Sequence, residues 1–210
     1  MIEIYVFVNP LGHKCLSIEK QIMELAQQLD RKVHFRFVPI VNIRTVREKM
    51  KMQNQDVADI DLVNRTFEEN YSMALDVKAV QLQGRKKGRM FLTNMQEAVN
   101  CHERNYSQTL VMEALKKIGA DIDLFKKDRQ NKLIHRAFVN DQQLAHEMHI
   151  RHVPSAVVYD FAHNGDGYLI DKDILVNTKQ FYEEVFQHLF PGKSESCANY
   201  IANNYLKLMN

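Results

Sequence analysis

The sequence predicts an α/β protein, and three observations carry the prediction. Ile2-Glu3-Ile4-Tyr5-Val6-Phe7-Val8 is a β-branched and aromatic run, and Ile18, Ile22, Leu25 and Leu29 then recur at helical intervals. From Val41 onward, β patterning stops for about a hundred residues. It returns at Val153-Pro154-Ser155-Ala156-Val157-Val158-Tyr159, followed by the turn Asn164-Gly165-Asp166-Gly167 and a closing helix. The order is a strand–helix–strand opening, a long helical block, and a helix–strand–strand–helix close.

Composition bounds the function classes. At 210 residues the chain suits one domain with an insertion or two small domains. Only 7 glycines and 4 prolines point to helices with few tight turns. A net charge of +2 gives no field suited to nucleic acid or an anionic membrane, so neither is expected as a partner. No apolar run is long enough to span a bilayer. The N-terminus enters a strand without a basic-then-apolar leader, and 3 cysteines are too few and odd for a disulfide framework, so the expectation is a cytoplasmic protein.

The opening sets the frame. Asn9-Pro10-Leu11-Gly12 breaks the first strand, and Cys15 falls in the first turn of the following helix, where orphan N–H groups favour a thiolate. Val33, Phe35 and Phe37 alternate with His34 and Arg36, giving a second strand that ends at Pro39 and a βαβ unit with a right-handed crossover.

The helical block comes next. Arg44, Arg47, Lys49 and Lys51 form a basic stretch, read as a solvated helix face or a surface for an acidic partner. Ile60, Val63, Phe67, Tyr71, Ala74 and Leu75 predict a helix from about Asp56 to Gln83. Gly84-Arg85-Lys86-Lys87-Gly88-Arg89 lacks P-loop spacing and reads as an interhelical turn. Phe91, Met95, Ala98 and Val99 resume a helical face, and another helix begins near Ser107 and stops at Gly119. Asp121 caps a short helix, and one more helical stretch spans Lys132 to Phe138.

Asn140 or Asp141 is the expected cap of a separate helix through Leu144 and Met148, leading into the Pro154 strand. The glycine-rich turn predicts a hairpin with Tyr168-Leu169-Ile170. Asn177 or Thr178 caps a core helix with Phe181, Val185 and Leu189, closed by Pro191-Gly192, and a tail helix carries Cys197, Ile201, Tyr205 and Leu206.

This order is that of a thioredoxin-like fold with a large all-helical insertion. The expected divisions are 1–42 and 139–192 for the thioredoxin-like domain, 43–138 for the insertion, and 193–210 for the tail helix. In that topology Pro154 is where such folds hold a cis peptide against the active-site turn. The redox motif of the fold is C-x-x-C. Here the register reads Gly12-His13-Lys14-Cys15, and one thiol without its partner cannot close an intramolecular disulfide.

The run Ile2-Glu3-Ile4-Tyr5-Val6-Phe7-Val8-Asn9-Pro10-Leu11-Gly12-His13-Lys14-Cys15 resembles the DsbA-like branch of the thioredoxin superfamily, and more narrowly the YjbH/SpxH group. The stretch Leu82 to Gly88, with Phe91-Leu92, Asn94-Met95-Gln96-Glu97 after it, resembles that group's insertion. Members of the group are adapters that deliver the stress regulator Spx to the ClpXP protease, and they are often described as dithiol-disulfide isomerases. The resemblance implies a protein client, an Spx-type regulator with ClpXP as partner, and Val153-Pro154 lying against Cys15. Gly12 in place of the first cysteine departs from the group's pattern, and so does the lack of a His/Cys-rich extension associated with zinc in some members.

Two function classes remain open. In the first, the chain is an adapter without dithiol turnover, binding its client through Leu11, Gly12, His13, Lys14, Val153 and Pro154 by strand addition. In the second, it is a thiol-disulfide or glutathione-dependent enzyme of the DsbA or kappa class that uses Cys15 as its catalytic residue, with glutathione as partner. Cys15 reads as an activated thiol or as a shielded remnant of the resolving position, and His13 as a group that tunes the thiol or as a solvated side chain. Cys101 and Cys197 read as core or incidental residues. His146, His149 and His152 recur every third residue, but no cysteine or carboxylate completes a ligand set, so neither a metal nor any other cofactor is expected.

Overall fold

The structure, a computed structural model, describes residues 1–28, 32–162 and 165–189. Two compact units are present: Met1–Val6, Ser17–Arg36 and the segment from Pro154 onward form one, and Phe7–Leu16 with Phe37–Val153 form the other. The expected domain edge at 138/139 falls inside a continuous helix, and the turn around Gly12 groups with the helical unit. Leu29, Asn164, Pro191-Gly192 and the expected tail helix lie outside the described residues.

β1 (Ile2–Val8), mostly in the first unit, leads into α1 (His13–Gln28), and the chain returns as β2 (Val33–Pro39). Ile2 N–H donates to the Lys32 carbonyl and Ile40 N–H to the Val8 carbonyl, so β1 and β2 run parallel, as the βαβ reading requires. β3 (Ser155–Asp160) and β4 (Gly167–Ile170) pair antiparallel, from Ala156 opposite Ile170 to Tyr159 opposite Gly167. Among the described residues the sheet order is β2-β1-β3-β4. Gly167 is required by packing: a Cβ there would stand 2.7 Å from the Tyr159 ring.

A short helix absent from the sequence reading, α8 (Lys172–Leu175), follows β4 and is capped by Asp171. α9 (Thr178–Leu189) then begins after Asn177, whose side-chain oxygen accepts from Gln180 N–H, so Asn177 is the cap. Ile2, Ile4, Val6, Ile18, Ile22, Ile170, Phe181 and Val185 are buried, the core that the alternating and helical patterns predicted.

The second unit is built on α3 (Ile60–Leu82), which packs against α2 (Ile43–Met52), α4 (Arg85–Asn100), α6 (Ile122–Arg129) and α7 (Lys132–Glu147). α5 (Gln108–Lys117) joins α4 to α6. Asn42, Asp59, Ser107, Asp121 and Asn131 each accept a backbone N–H at a helix start. At the end of α5, Gly119 takes φ +63° and Ala120 N–H reaches back to the Leu115 carbonyl, a left-handed stop that glycine admits without strain.

Several expectations change here. Lys132–Phe138 and the helix expected after Asn140 are one helix, because the cap is Asn131 and Asp141 turns inward to Lys78 Nζ at 2.7 Å. Arg85-Lys86-Lys87-Gly88-Arg89 is the start of α4 rather than a loop. Gly88 is there for close packing, since a Cβ would collide with the Gln81 side chain. Ile60, expected on the buried face of α3, is 70% exposed because it precedes the packed part of the helix. Cys101 ends α4 as an exposed residue, which removes the core reading for that thiol.

Candidate functional site: the Gly12–Cys15 turn and the cavity beside it

The turn after β1 is organised by Asn9, which is 4% exposed. Its side-chain oxygen accepts from Leu11 N–H at 3.0 Å, and its carbonyl accepts from Gly12 N–H at 3.0 Å. Its amide nitrogen donates to the Thr45 carbonyl at 3.4 Å, tying the turn to α2. Its own backbone N–H donates to Cys15 Sγ at 3.3 Å. The sequence shows Asn9 as one turn residue among several; that all of these contacts meet on it is visible only in three dimensions.

Cys15 is 2% exposed, and neither Cys15 nor Cys101 is in a disulfide. A thiol nucleophile needs access as well as a thiolate. Of the two readings of Cys15, burial matches the shielded one. A Cβ placed on Gly12 would stand 3.1 Å from Cys15 Sγ. Across a disulfide, an S–S bond of about 2.05 Å puts the far Cβ and the sulfur about 3 Å apart. The spacing from position 12 to Cys15 Sγ is thus close to the one a disulfide bridge needs.

His13 is exposed and begins α1, with Lys14 next in the first turn. Leu11 and His13 lie together on the wall of a cavity of about 690 Å³ within the helical unit. The end of α2 contributes Lys49, Met52, Gln53 and Gln55, and α3 contributes Leu62, Arg65, Thr66 and Glu69. The segment from Val99 to Tyr106 closes the third side. Burial pushes the Lys49 ammonium below its usual pKa, opposed by the charge of Glu69.

The third wall is strapped from behind. Tyr106 Oη donates to Asp76 Oδ2 at 2.6 Å, and Arg129 Nε donates to Asp76 Oδ1 at 2.6 Å, so both oxygens of this buried carboxylate are used. Burial, as the largest influence, pushes the Asp76 pKa up, against these two donors. Arg104 grips Glu113 through both terminal nitrogens, at 2.5 and 3.2 Å.

Val153 and Pro154 are buried, and Pro154 directly precedes β3, where the sequence reading put it. The division between the two units falls at this peptide bond. The histidine comb does not converge. His152 Nδ1 lies 3.3 Å from Glu48 Oε1 and its ring is within 3.2 Å of Arg44, while His149 sits in a left-handed turn at φ 55°. Among the described residues, no cluster of three His, Cys, Asp or Glu side chains is placed to hold a metal ion.

The insertion motif is structural in its described contacts. The Gln83 side chain bridges the Asp121 backbone, donating to its carbonyl at 2.7 Å and accepting from its N–H at 2.8 Å. Lys87 Nζ donates to the Gly119 carbonyl at 3.0 Å. Among the described residues, no helix is long and apolar enough to cross a membrane.

Comparison with known proteins fits this geometry. A family model described as thioredoxin matches residues 5–179. The chain belongs to the thioredoxin family. It is 29% identical over 182 residues to the ClpXP adapter protein SpxH of Bacillus subtilis, covering 79% of this chain and 61% of that protein. Against SpxH of Staphylococcus aureus it is 24% identical over 158 residues, covering 75% and 56%. The chain thus spans about three fifths of the length of these curated relatives. Among solved structures, Pseudomonas aeruginosa DsbA matches with a TM-score of 0.61 at 16% identity, covering 94% of this chain and 86% of that one. The cytosolic disulfide reductase DsbM of the same organism matches with 0.60 at 12% identity, covering 89% and 99%. These structural likenesses establish the DsbA-like thioredoxin fold alone.

Proposed function

We propose that this protein is a cytoplasmic client-binding adapter that brings an Spx-type regulator to ClpXP and has no dithiol redox turnover of its own. One observation carries the reading. The turn keeps a spacing close to the one a disulfide bridge needs, while Gly12 carries no thiol and Cys15 is buried. What such a scaffold retains is binding surface: the exposed His13 beside Leu11 on the wall of the cavity. The SpxH relatives, named ClpXP adapter proteins, support ClpXP as the protease and a protein as the client. Burial of Cys15 weighs against the thiol-enzyme or glutathione-dependent alternative.

The basic side chains on α2 and at the start of α4 add steering toward an acidic client, so association is expected to weaken as salt rises. The test is capture of a purified Spx-type regulator, followed by its degradation by ClpXP with and without this protein. Faster degradation in its presence, unchanged in Cys15→Ser, is the expected result. No capture, together with glutathione-dependent turnover that Cys15→Ser abolishes, would replace the adapter reading with the enzymatic one.

A further inference from the structure

We propose that the cavity beside Leu11 and His13 binds an extended acidic segment of the protein client, seating an aliphatic side chain among Leu11, Met52 and Leu62 and a carboxylate on Lys49 and Arg65. This rests on the adapter reading and gives it a recognition pocket.

Size is the first argument. At about 690 Å³ the cavity lies within the range of about 300–1,000 Å³ typical of ligand sites. Lining chemistry is the second. Gln53, Gln55, Asn100 and Asn105 place four carboxamides on one cavity, each offering a donor and an acceptor. That is the complement of a peptide backbone, which presents N–H and C=O groups in alternation. The apolar wall contributed by Leu11, Met52 and Leu62 suits a Leu-, Ile- or Val-sized side chain.

The lining carries Lys49, Arg65 and Arg104 against Glu69 and Glu103, and Arg104 is already gripped by Glu113, so the sign of the ligand turns on Lys49. Lys49 is half-buried and carries a desolvation penalty that Glu69 offsets only in part. A ligand carboxylate would supply a second counter-charge. A basic ligand would instead add to that penalty.

The cavity is also pre-formed. Glu103, on its lining, holds left-handed backbone at φ 52°, a conformation uncommon for a non-glycine residue. Tyr106 is fixed by the Asp76–Arg129 pair. Walls held in this way reduce the ordering cost of binding.

The experiment uses fluorescence polarisation with a short fluorescein-labelled peptide that alternates leucine and glutamate, and its counterpart with glutamine for glutamate. The full chain is compared with Lys49→Met and with Met52→Trp, whose bulk enters the cavity from an exposed rim position. The glutamate peptide is expected to bind, and both the glutamine peptide and Lys49→Met to weaken binding about tenfold or more. Met52→Trp should abolish it. Lys49→Met should leave the melting temperature unchanged or raised, because it removes a half-buried charge; a merely structural lysine would lower it.

Equal affinity for the two peptides, or affinity untouched by both variants, would overturn the proposal. So would Lys49-dependent binding of free glutathione with no binding of the peptide. Capture of the regulator by the same variants separates the two readings. Regulator captured equally by wild type, Lys49→Met and Met52→Trp leaves the adapter function standing and overturns the pocket. Glutamate-selective peptide binding without regulator capture supports the pocket and removes that client.

Discussion

The two units are held together by different means. In the sheet unit, Ile4, Val6, Val158 and Ile170 form an apolar core, Glu19 and Asp160 are buried beside it, and the Tyr168–Glu184 pair is only partly buried. In the helical unit, α3 is enclosed by four other helices, and charged side chains on it meet their partners inside. Asp76 takes Arg129 and Tyr106; Lys78 takes Asp141. A charge on a helix packed on most sides cannot reach water, so it must be paired where it lies. These pairs fix neighbouring elements in one arrangement, and one of them braces the wall of the cavity.

The sharpest way to break this contrast is to remove one member of a buried pair. Asp141→Ala leaves the Lys78 ammonium without its carboxylate at a site where Asp141 is 1% exposed. The expected loss is about 3–5 kcal/mol, whereas Lys78→Met combined with Asp141→Leu should restore most of it. Urea unfolding of the three proteins measures both. A single-variant loss below about 1 kcal/mol would place this pair with surface ion pairs and dissolve the distinction between the units.

Tyr106→Phe tests the brace with a smaller effect. It strips one donor from the buried Asp76 carboxylate while keeping the ring, and about 1–3 kcal/mol should be lost. Affinity at the cavity should fall in parallel. Stability loss with unaltered peptide affinity would mean that the wall is positioned without Asp76.

Legibility follows the same division. The strands, the hairpin, the helix start near Ser107 and the cap at Asp121 could be read from the sequence because each depends on neighbours a few residues away, whereas the cap of α3 is Asp59, three residues past the expected start. The start of α4 could not be read in this way. Three basic residues between two glycines suggest a loop, and the helix begins there with Gly84 at φ 127° and with Gly88 letting the Gln81 side chain approach. Asp141 was read as a cap for a related reason: only its long-range partner Lys78 shows that it sits in the middle of α7. At the site, Leu11 and His13 were legible from the turn, while Lys49, Arg65 and Tyr106 come from three distant segments with no shared motif.

Gly12→Cys sharpens the comparison at the turn itself. With its Cβ about where a bridge to Cys15 requires it, the variant should form a disulfide under mild oxidation, seen as the loss of two titratable thiols. The stability gain should be at most about 2 kcal/mol, since the closed loop is very short. Asn9 limits it further, because the new Cβ comes within 3.1 Å of the Asn9 side chain. Persistent free thiols would show that this turn no longer has redox-site geometry.

The smallest effect expected is in the sheet unit, at high pH. Tyr168 Oη donates to Glu184 Oε2 at 2.5 Å, and its ring stacks on His188. That hydrogen bond, then burial, then the carboxylate's charge push its pKa from 10.0 up to about 12. The folded value lies above the unfolded one, so between them the folded protein holds the proton that the unfolded chain has released. The hydroxyl therefore contributes stability below pH 10 and loses that contribution as the pH rises toward 12. Tyr168→Phe should be slightly less stable than the parent at neutral pH, and the difference should vanish by the top of that window. Thermal melts across the window check it. A difference that stayed constant with pH would assign the effect to ring packing on His188, leaving the hairpin with no polar contribution and widening the contrast with the helical unit.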